Sequence, residues 1–152
     1  KETFGADGFD EVEFVIATNP GEPLKPLGSV ASGGELSRIM LALKTVLAKN
    51  DEIETLIFDE IDTGVSGEIA IRMGEIMKQM SANMQVFAIT HLPQIAAKGD
   101  SHFKVAKSTV GEVTNSELKL LTEEERVLEI AQMLSGTVVS ESALNHAKAL
   151  LN

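Results

Sequence analysis

The spacing of apolar and polar positions changes several times along the chain, and each change marks an element. Val12 to Thr18 alternates weakly and is rich in β-formers; Asn19-Pro20-Gly21 stops it, and Pro23 and Pro26 keep the following stretch extended. From Glu35 the period becomes helical, with Ile39, Leu43, Val46 and Leu47 on one stripe that ends near Lys49 and Asn50. Thr55-Leu56-Ile57-Phe58 is a short continuous apolar run bounded by charge, which predicts a strand covered on both faces. Ile69, Met73, Ile76, Met77 and Met80 mark a second amphipathic helix, and Gln85 to Thr90 is the next strand.

Strand, helix and strand of these lengths form a βαβ unit, whose right-handed crossover makes the strands parallel. The fold class is therefore α/β. Downstream, Pro93 to Lys98 predicts a short helix closed by Gly99. His102 to Lys107 and Val113 to Leu121 predict strands that pair as a hairpin around a turn near Gly111. Thr122 and Glu125 have capping-box spacing ahead of Val127, Ile130, Ala131 and Leu134, Gly136 stops that helix, and a last helix runs over Glu141 to Leu151.

Composition narrows the class of protein. The 152 residues include no cysteine, which excludes a disulfide-stapled scaffold and points to a reducing compartment such as the cytoplasm. No segment approaches the ~18 uninterrupted apolar residues of a membrane span, and the N-terminus lacks a signal-peptide layout. The net charge of −10 is uneven: residues 1–76 carry 6 Lys/Arg against 15 Asp/Glu, whereas residues 77–152 carry 7 against 8. A phosphate backbone rewards clustered Lys and Arg, so the acidic half predicts a cation such as Mg²⁺ as its charge partner rather than DNA. The opening at Lys1, with a polar stretch to Asp10, reads as a piece of a longer protein.

The candidate chemistry gathers where strands end. In open α/β sheets ligands lie beyond the carboxyl ends of strands. The run Thr55 to Phe58 leads directly into Asp59-Glu60, followed by Asp62-Thr63-Gly64, and the run Gln85 to Thr90 leads into His91. Adjacent acids at the end of a buried strand are costly unless a cation or donor meets them; otherwise they are an acidic strand end facing water. Ser32-Gly33-Gly34-Glu35 opens the first helix. Ser and Glu there satisfy a capping box without any ligand, yet glycines in a first turn are entropically unfavourable and leave the backbone N–H groups open to an anion.

Together these pieces resemble the ATP-binding-cassette ATPases. Ala31-Ser32-Gly33-Gly34-Glu35 is similar to the family's signature loop, Thr55 to Glu60 to its Walker B strand, Asp62-Thr63-Gly64 to its D-loop and His91 to its switch histidine. The strings VASGGELSRIMLALK, FDEIDTGVSG and ITHLPQIAAKGDSHFKV, with NPGEPLKPLGS before them, resemble the bacterial DNA-repair relatives of the SMC proteins. No G-x-x-x-x-G-K-[ST] motif occurs, so the loop that cradles nucleotide phosphates is absent from the chain.

The resemblance implies a P-loop-NTPase-like head, of which residues 12–152 are the C-terminal lobe, with parallel strands and flanking helices, and residues 1–11 a linker from an upstream coiled coil. It implies ATP held between two paired heads, a second copy and the N-terminal half of the head as partners, and DNA engaged through the intact protein. Asp59 would hold Mg²⁺, Glu60 would orient or deprotonate the attacking water, and His91 would donate to the γ-phosphate. Ser32, Gly33, Gly34 and Glu35 would meet the ATP of the partner head, and Asp62 would cross the dimer seam. Two alternatives stay open on the residues alone: a metal-dependent phosphoesterase with Asp59, Glu60, Asp62 and His91 as direct ligands, and a non-catalytic interaction module of the same fold. Arg38 either touches a nucleotide or pairs with an acid such as Glu35. The methionines from Met40 to Met84 read as packing residues, and His102 and His146 as structural or exposed.

Overall fold

The structure, a computed structural model, describes residues 8, 12–17, 19–30, 33–47, 53–110 and 113–152. Ser32 and, apart from Gly8, the expected linker over 1–11 lie outside the described residues. The elements are β1 (Val15–Ile16), β2 (Lys25–Pro26), α1 (Leu27–Val30), α2 (Gly33–Leu47), β3 (Thr55–Asp59), α3 (Gly67–Met80), β4 (Gln85–Ile89), α4 (Pro93–Ala96), β5 (Phe103–Val110), β6 (Val113–Leu120), α5 (Glu123–Ser135) and α6 (Glu141–Leu151). Strands β3 and β4 pair in parallel across α3, in register from Thr55 with Gln85 to Asp59 with Ile89, so the expected βαβ unit is present. The expected hairpin is present too, with β5 and β6 antiparallel from Phe103 with Leu120 to Val110 with Val113. The sequence pattern did not anticipate β2, which pairs with β1, or the single helical turn α1 that follows it. Pro26 ends a strand bridge there and Leu27 N–H bonds to the Phe14 carbonyl at 2.8 Å, so a chain expected only to stay extended pairs and then coils.

Two apolar clusters hold these elements. The first is built on the inner face of β3, where Leu56 and Phe58 meet Met73, Met77 and Met80 of α3 together with Leu41, Val65, Ala70 and Ile95. Three of the methionines read as packing residues are therefore core, and Met84 packs against the same cluster from its edge, whereas Met40 is exposed. The second cluster joins α5 to α6 and to the end of α4 through Ile130, Ala131, Ala143, Ala147 and Ala97. Alanines at the contact let the two helix backbones approach closely.

The caps act as the sequence suggests. The Thr122 hydroxyl accepts from Glu125 N–H and the Glu125 carboxylate accepts from Thr122 N–H, a complete capping box at the start of α5, while Ser140 caps α6 by accepting from Ala143 N–H. Arg126 is buried, and its guanidinium donates to the Gly99 carbonyl at 2.6 Å and pairs with Glu123 at 3.2 Å, tying α5 to the chain that leaves α4.

One expectation fails. The run over Thr55 to Phe58 is covered on one face only: Leu56 and Phe58 are buried, but Ile57 is 67 % exposed, and its neighbours on β4, Phe87 and Ile89, share that open side. No described element packs over this face. The strand carries apolar side chains on both faces, and only the face of Leu56 and Phe58 is covered within the described residues.

Candidate functional site

Parallel pairing puts the carboxyl ends of β3 and β4 side by side, which brings together residues separated by about thirty positions. Asp59 is the last residue of β3, on the same face as Ile57, and is exposed. Glu60 follows, its N–H bonded to the Ile89 carbonyl at 3.1 Å, so the sheet ladder continues one step past the strand. Its backbone lies in the left-handed region at φ 48°, the sole non-glycine residue to do so among the described residues. That conformation costs a residue with a Cβ on the order of 1–2 kcal/mol. It is held by the turn it begins: Thr63 returns its N–H and its hydroxyl to the Glu60 carbonyl at 3.3 and 2.9 Å, and Val65 N–H bonds to the Asp62 carbonyl at 3.0 Å. The strain bends the chain sharply away from the sheet while leaving the exposed Glu60 side chain at the sheet edge.

Asp62 takes the opposite position. It is 1 % exposed, with Oδ2 accepting the hydroxyl of Thr90 and lying 3.6 Å from Nδ1 of His91. The Thr90 hydroxyl in turn accepts from Leu92 N–H at 3.0 Å. The other carboxylate oxygen of Asp62 is buried with no hydrogen-bond partner. His91 is 67 % exposed, with one ring nitrogen toward Asp62 and the rest of the ring open. The carboxylate expected to reach across a dimer seam is thus turned into its own chain, under the histidine.

Helix α2 meets the same turn from the other side. A Cβ placed on Gly34 would lie 2.8 Å from the Thr63 carbonyl oxygen, so only glycine permits this approach of helix start to turn. A Cβ on Gly33 would meet nothing within 4 Å. The two glycines of the signature-like loop therefore have different surroundings, one pressed on the Thr63-Gly64 turn and the other with open space where a side chain would stand. Glu35 is half-buried in the first turn of α2, and the Arg38 guanidinium lies beside Gly34.

The arrangement brings Asp59, Glu60, Asp62 and His91 to one edge and sets the start of α2 against the turn that links them. Sequence reasoning missed Thr90 as the clamp on Asp62 and the packing role of Gly34. The only signal for the first was a hydroxyl beside the histidine, and for the second a glycine where helix propensity disfavours one. Among the described residues no three His, Asp or Glu side chains converge as a metal-holding group. The exposed carboxylate of Asp59 fits Mg²⁺ of another kind. That ion is commonly held by one or two carboxylates, its waters and substrate phosphates rather than by an all-protein cage. A shallow groove between the hairpin and α5 is lined by the ion pairs Lys104–Glu129 and Lys119–Glu125, charges already matched within the chain. No described helix is long and apolar enough to cross a membrane.

No family model matches the chain. It is 49 % identical over 152 residues, its whole length, to the DNA repair protein RecN of Halalkalibacterium halodurans, of which it spans 27 %. It is 52 % identical over 151 residues, 99 % of its length, to the RecN of Treponema pallidum, of which it spans 26 %. The chain thus corresponds to about a quarter of the length of these relatives. Among solved structures, one described under "Structural biochemistry of ATP-driven dimerization and DNA stimulated activation of SMC ATPases" superposes with a TM-score of 0.57 at 21 % identity, covering 82 % of this chain and 81 % of the other. A second, an SMC head bound to the C-winged helix domain of ScpA, superposes at 0.56 and 26 % identity over 68 % of this chain and 31 % of the other. The chain is α/β, with parallel and antiparallel strand pairs and flanking helices, and its fold matches that of SMC head domains.

Proposed function

We propose that this chain is the C-terminal part of a RecN-type, SMC-like ATPase head that binds and hydrolyses ATP between two paired heads in the repair of DNA. The observation that carries this reading is the parallel β3–β4 pair, which delivers Asp59, Glu60 and His91 to a single sheet edge in a chain matching RecN end to end. In this reading Asp59 would hold Mg²⁺, which when bound would supply positive charge to offset that of the nucleotide phosphates. Glu60, fixed at the edge by its strained turn, orients the attacking water and takes its proton. His91, exposed beside it, donates toward the γ-phosphate as negative charge gathers there.

The start of α2 serves the neighbouring head. Free N–H groups and the positive end of a helix attract a phosphate, and the open space at Gly33 admits one. Ser32, Gly33, Gly34 and Glu35 would meet the γ-phosphate of ATP seated in the second copy. The phosphate loop lies outside this chain, in the N-terminal half of the head. That half would also cover the open face of Ile57, Phe87 and Ile89, since apolar side chains this exposed gain roughly 25 cal/mol per Å² on burial. The acidic balance of residues 1–76 makes this lobe a poor contact for DNA, which the intact protein would engage elsewhere.

Glu60→Gln in the intact protein tests the assignment. It is expected to leave ATP binding in place and slow hydrolysis by about 10²- to 10⁴-fold, the usual worth of a positioned base. The chain on its own serves as the low-turnover control. Turnover of the variant at the rate of the unaltered protein would reduce the lobe to a non-catalytic module.

A further inference from the structure

The Asp62 carboxylate is more deeply buried than the reading above requires. A charged group out of water is costly unless paired and fully hydrogen-bonded, and here one oxygen is held by the Thr90 hydroxyl while the other has no partner. Packing alone would be served by an uncharged side chain at this place. What a carboxylate adds is an anionic acceptor, and the group it faces is Nδ1 of His91, 3.6 Å away. The Thr90 hydroxyl, taking a hydrogen bond from Leu92 N–H and giving its own proton to Asp62 Oδ2, fixes where that acceptor points. The 3.6 Å separation is an ion-pair distance that a small rotation of the exposed ring turns into a hydrogen bond, and such contacts tighten when substrate is bound.

We infer that Asp62 is a positioning residue for His91: together with Thr90 it holds Nδ1 from below, so that the ring stands fixed and presents Nε2 to the nucleotide. The inference rests on the ATPase reading and goes beyond it, because it gives Asp62 a task within its own head. The carboxylate holds one proton on Nδ1 and restricts the ring to one orientation, which spares the transition state the cost of ordering it; donation to the γ-phosphate uses a second proton, taken up from solvent on Nε2 beside the negative charge of the phosphate. Thr90, the residue before the histidine, makes the acceptor rigid. The three side chains form one unit, so losses within it are not additive.

The test uses the intact protein with selectively ¹⁵N-labelled histidine. In mildly alkaline buffer without nucleotide, the ring nitrogens of His91 should report a proton predominantly on Nδ1, and Asp62→Asn should shift that population toward Nε2. With ATP, Asp62→Asn should lower kcat by about tenfold or more while KM for ATP and nucleotide-driven pairing stay within about twofold. In a His91→Ala background the same substitution should cost no further activity. If Asp62→Asn fails to fold, Thr90→Val removes the clamp with little change of shape and should give the same nitrogen shift and a smaller loss of kcat. Unchanged ring-nitrogen signals, an unaltered kcat, or a loss that adds in full to that of His91→Ala would overturn the inference. A Glu60→Gln variant run alongside separates the two ideas: slowed there but not by Asp62→Asn, the ATPase reading stands and the positioning role falls; slowed by neither, the ATPase reading falls.

Discussion

The β3–β4 region and the α5–α6 pair are both apolar assemblies, one of strands and helix and one of helices alone, yet only the second is finished within the described chain. In the C-terminal pair Ile130, Ala131 and Ala147 are wholly buried, both helices begin on side-chain caps, and Arg126 is tied to backbone carbonyls of the preceding loop. In the sheet region one face packs on α3, while the other exposes Ile57, Phe87 and Ile89, and α2 nearby exposes Leu36, Met40, Leu43 and Leu47. Those four residues recur at helical spacing, so they form a second uncovered stripe. The chemistry-bearing residues all belong to the unfinished region. A site completed by other parts of a protein has its surfaces left open where those parts dock, whereas the region that only supports the site closes on itself.

One residue type measures this contrast. Ile130→Ala should destabilise the chain by about 2–5 kcal/mol, because Ile130 is 0 % exposed and its removal leaves a cavity. Ile57→Ala, the same change on the open face, should cost less than about 1 kcal/mol in this chain. In the intact protein, where the proposed N-terminal half covers that face, the Ile57 cost should rise into the range of Ile130. Urea titrations of both variants in both contexts check it. An Ile57 cost that stays small in the intact protein would show that the sheet face remains bare.

The two glycines at the start of α2 give a smaller and sharper split. Gly34→Ala forces a Cβ against the Thr63 carbonyl and should cost roughly 1–3 kcal/mol by pushing the helix off the Glu60-to-Val65 turn. Gly33→Ala meets no neighbour and gains helix propensity, so stability should hold or rise by up to about 1 kcal/mol. If the open backbone at Gly33 admits a phosphate, that variant should nonetheless weaken ATP-driven pairing of the intact protein. Thermal melting and sizing in ATP separate the two effects. Equal melting temperatures for the two variants would remove the packing role of Gly34.

Much of this architecture was legible in the chain. The change from helical to continuous apolar spacing located β3, α3 and β4, and Thr122, Glu125 and Gly136 bounded α5 to within a residue, because caps and stops are local chemistry. The edge that carries Asp59, Glu60 and His91 was legible for the same reason: it follows directly from where two parallel strands end. Apolar content alone could not show that Ile57 lacks cover, since burial is a property of what packs against a residue. Nor could it show that Asp62, two and three positions after the exposed acids Glu60 and Asp59, is buried. Its clamp comes from Thr90, 28 residues away, and depends on the register of the two strands. The bridge of β2 with β1 was missed because two residues and two prolines carry no periodic signal.

The least of these effects comes from the finished region and depends on pH. His102 is half-buried just before β5, its Nδ1 is buried without a partner, and its pKa lies below the ordinary 6.5. Burial is the main cause, reinforced by the Arg126 and Lys104 charges and opposed by Glu129. The unfolded chain therefore takes up a proton near 6.5 that the folded chain resists. Stability is greatest above that value and declines as pH falls from 6.5 toward the lower folded value. The carboxylates of Asp100 and Glu125, held low by Lys78 and Lys119, add a loss of the same sign only at more acidic pH, below their ordinary 3.8 and 4.5. Between about pH 7.5 and 5.5 the histidine is thus isolated from them. His102→Gln should flatten the decline of melting temperature across that interval while leaving the steeper acid loss intact. An unchanged slope would mean that the ring escapes its burial before the chain unfolds, and that this corner of the finished region opens as readily as the sheet face across the molecule.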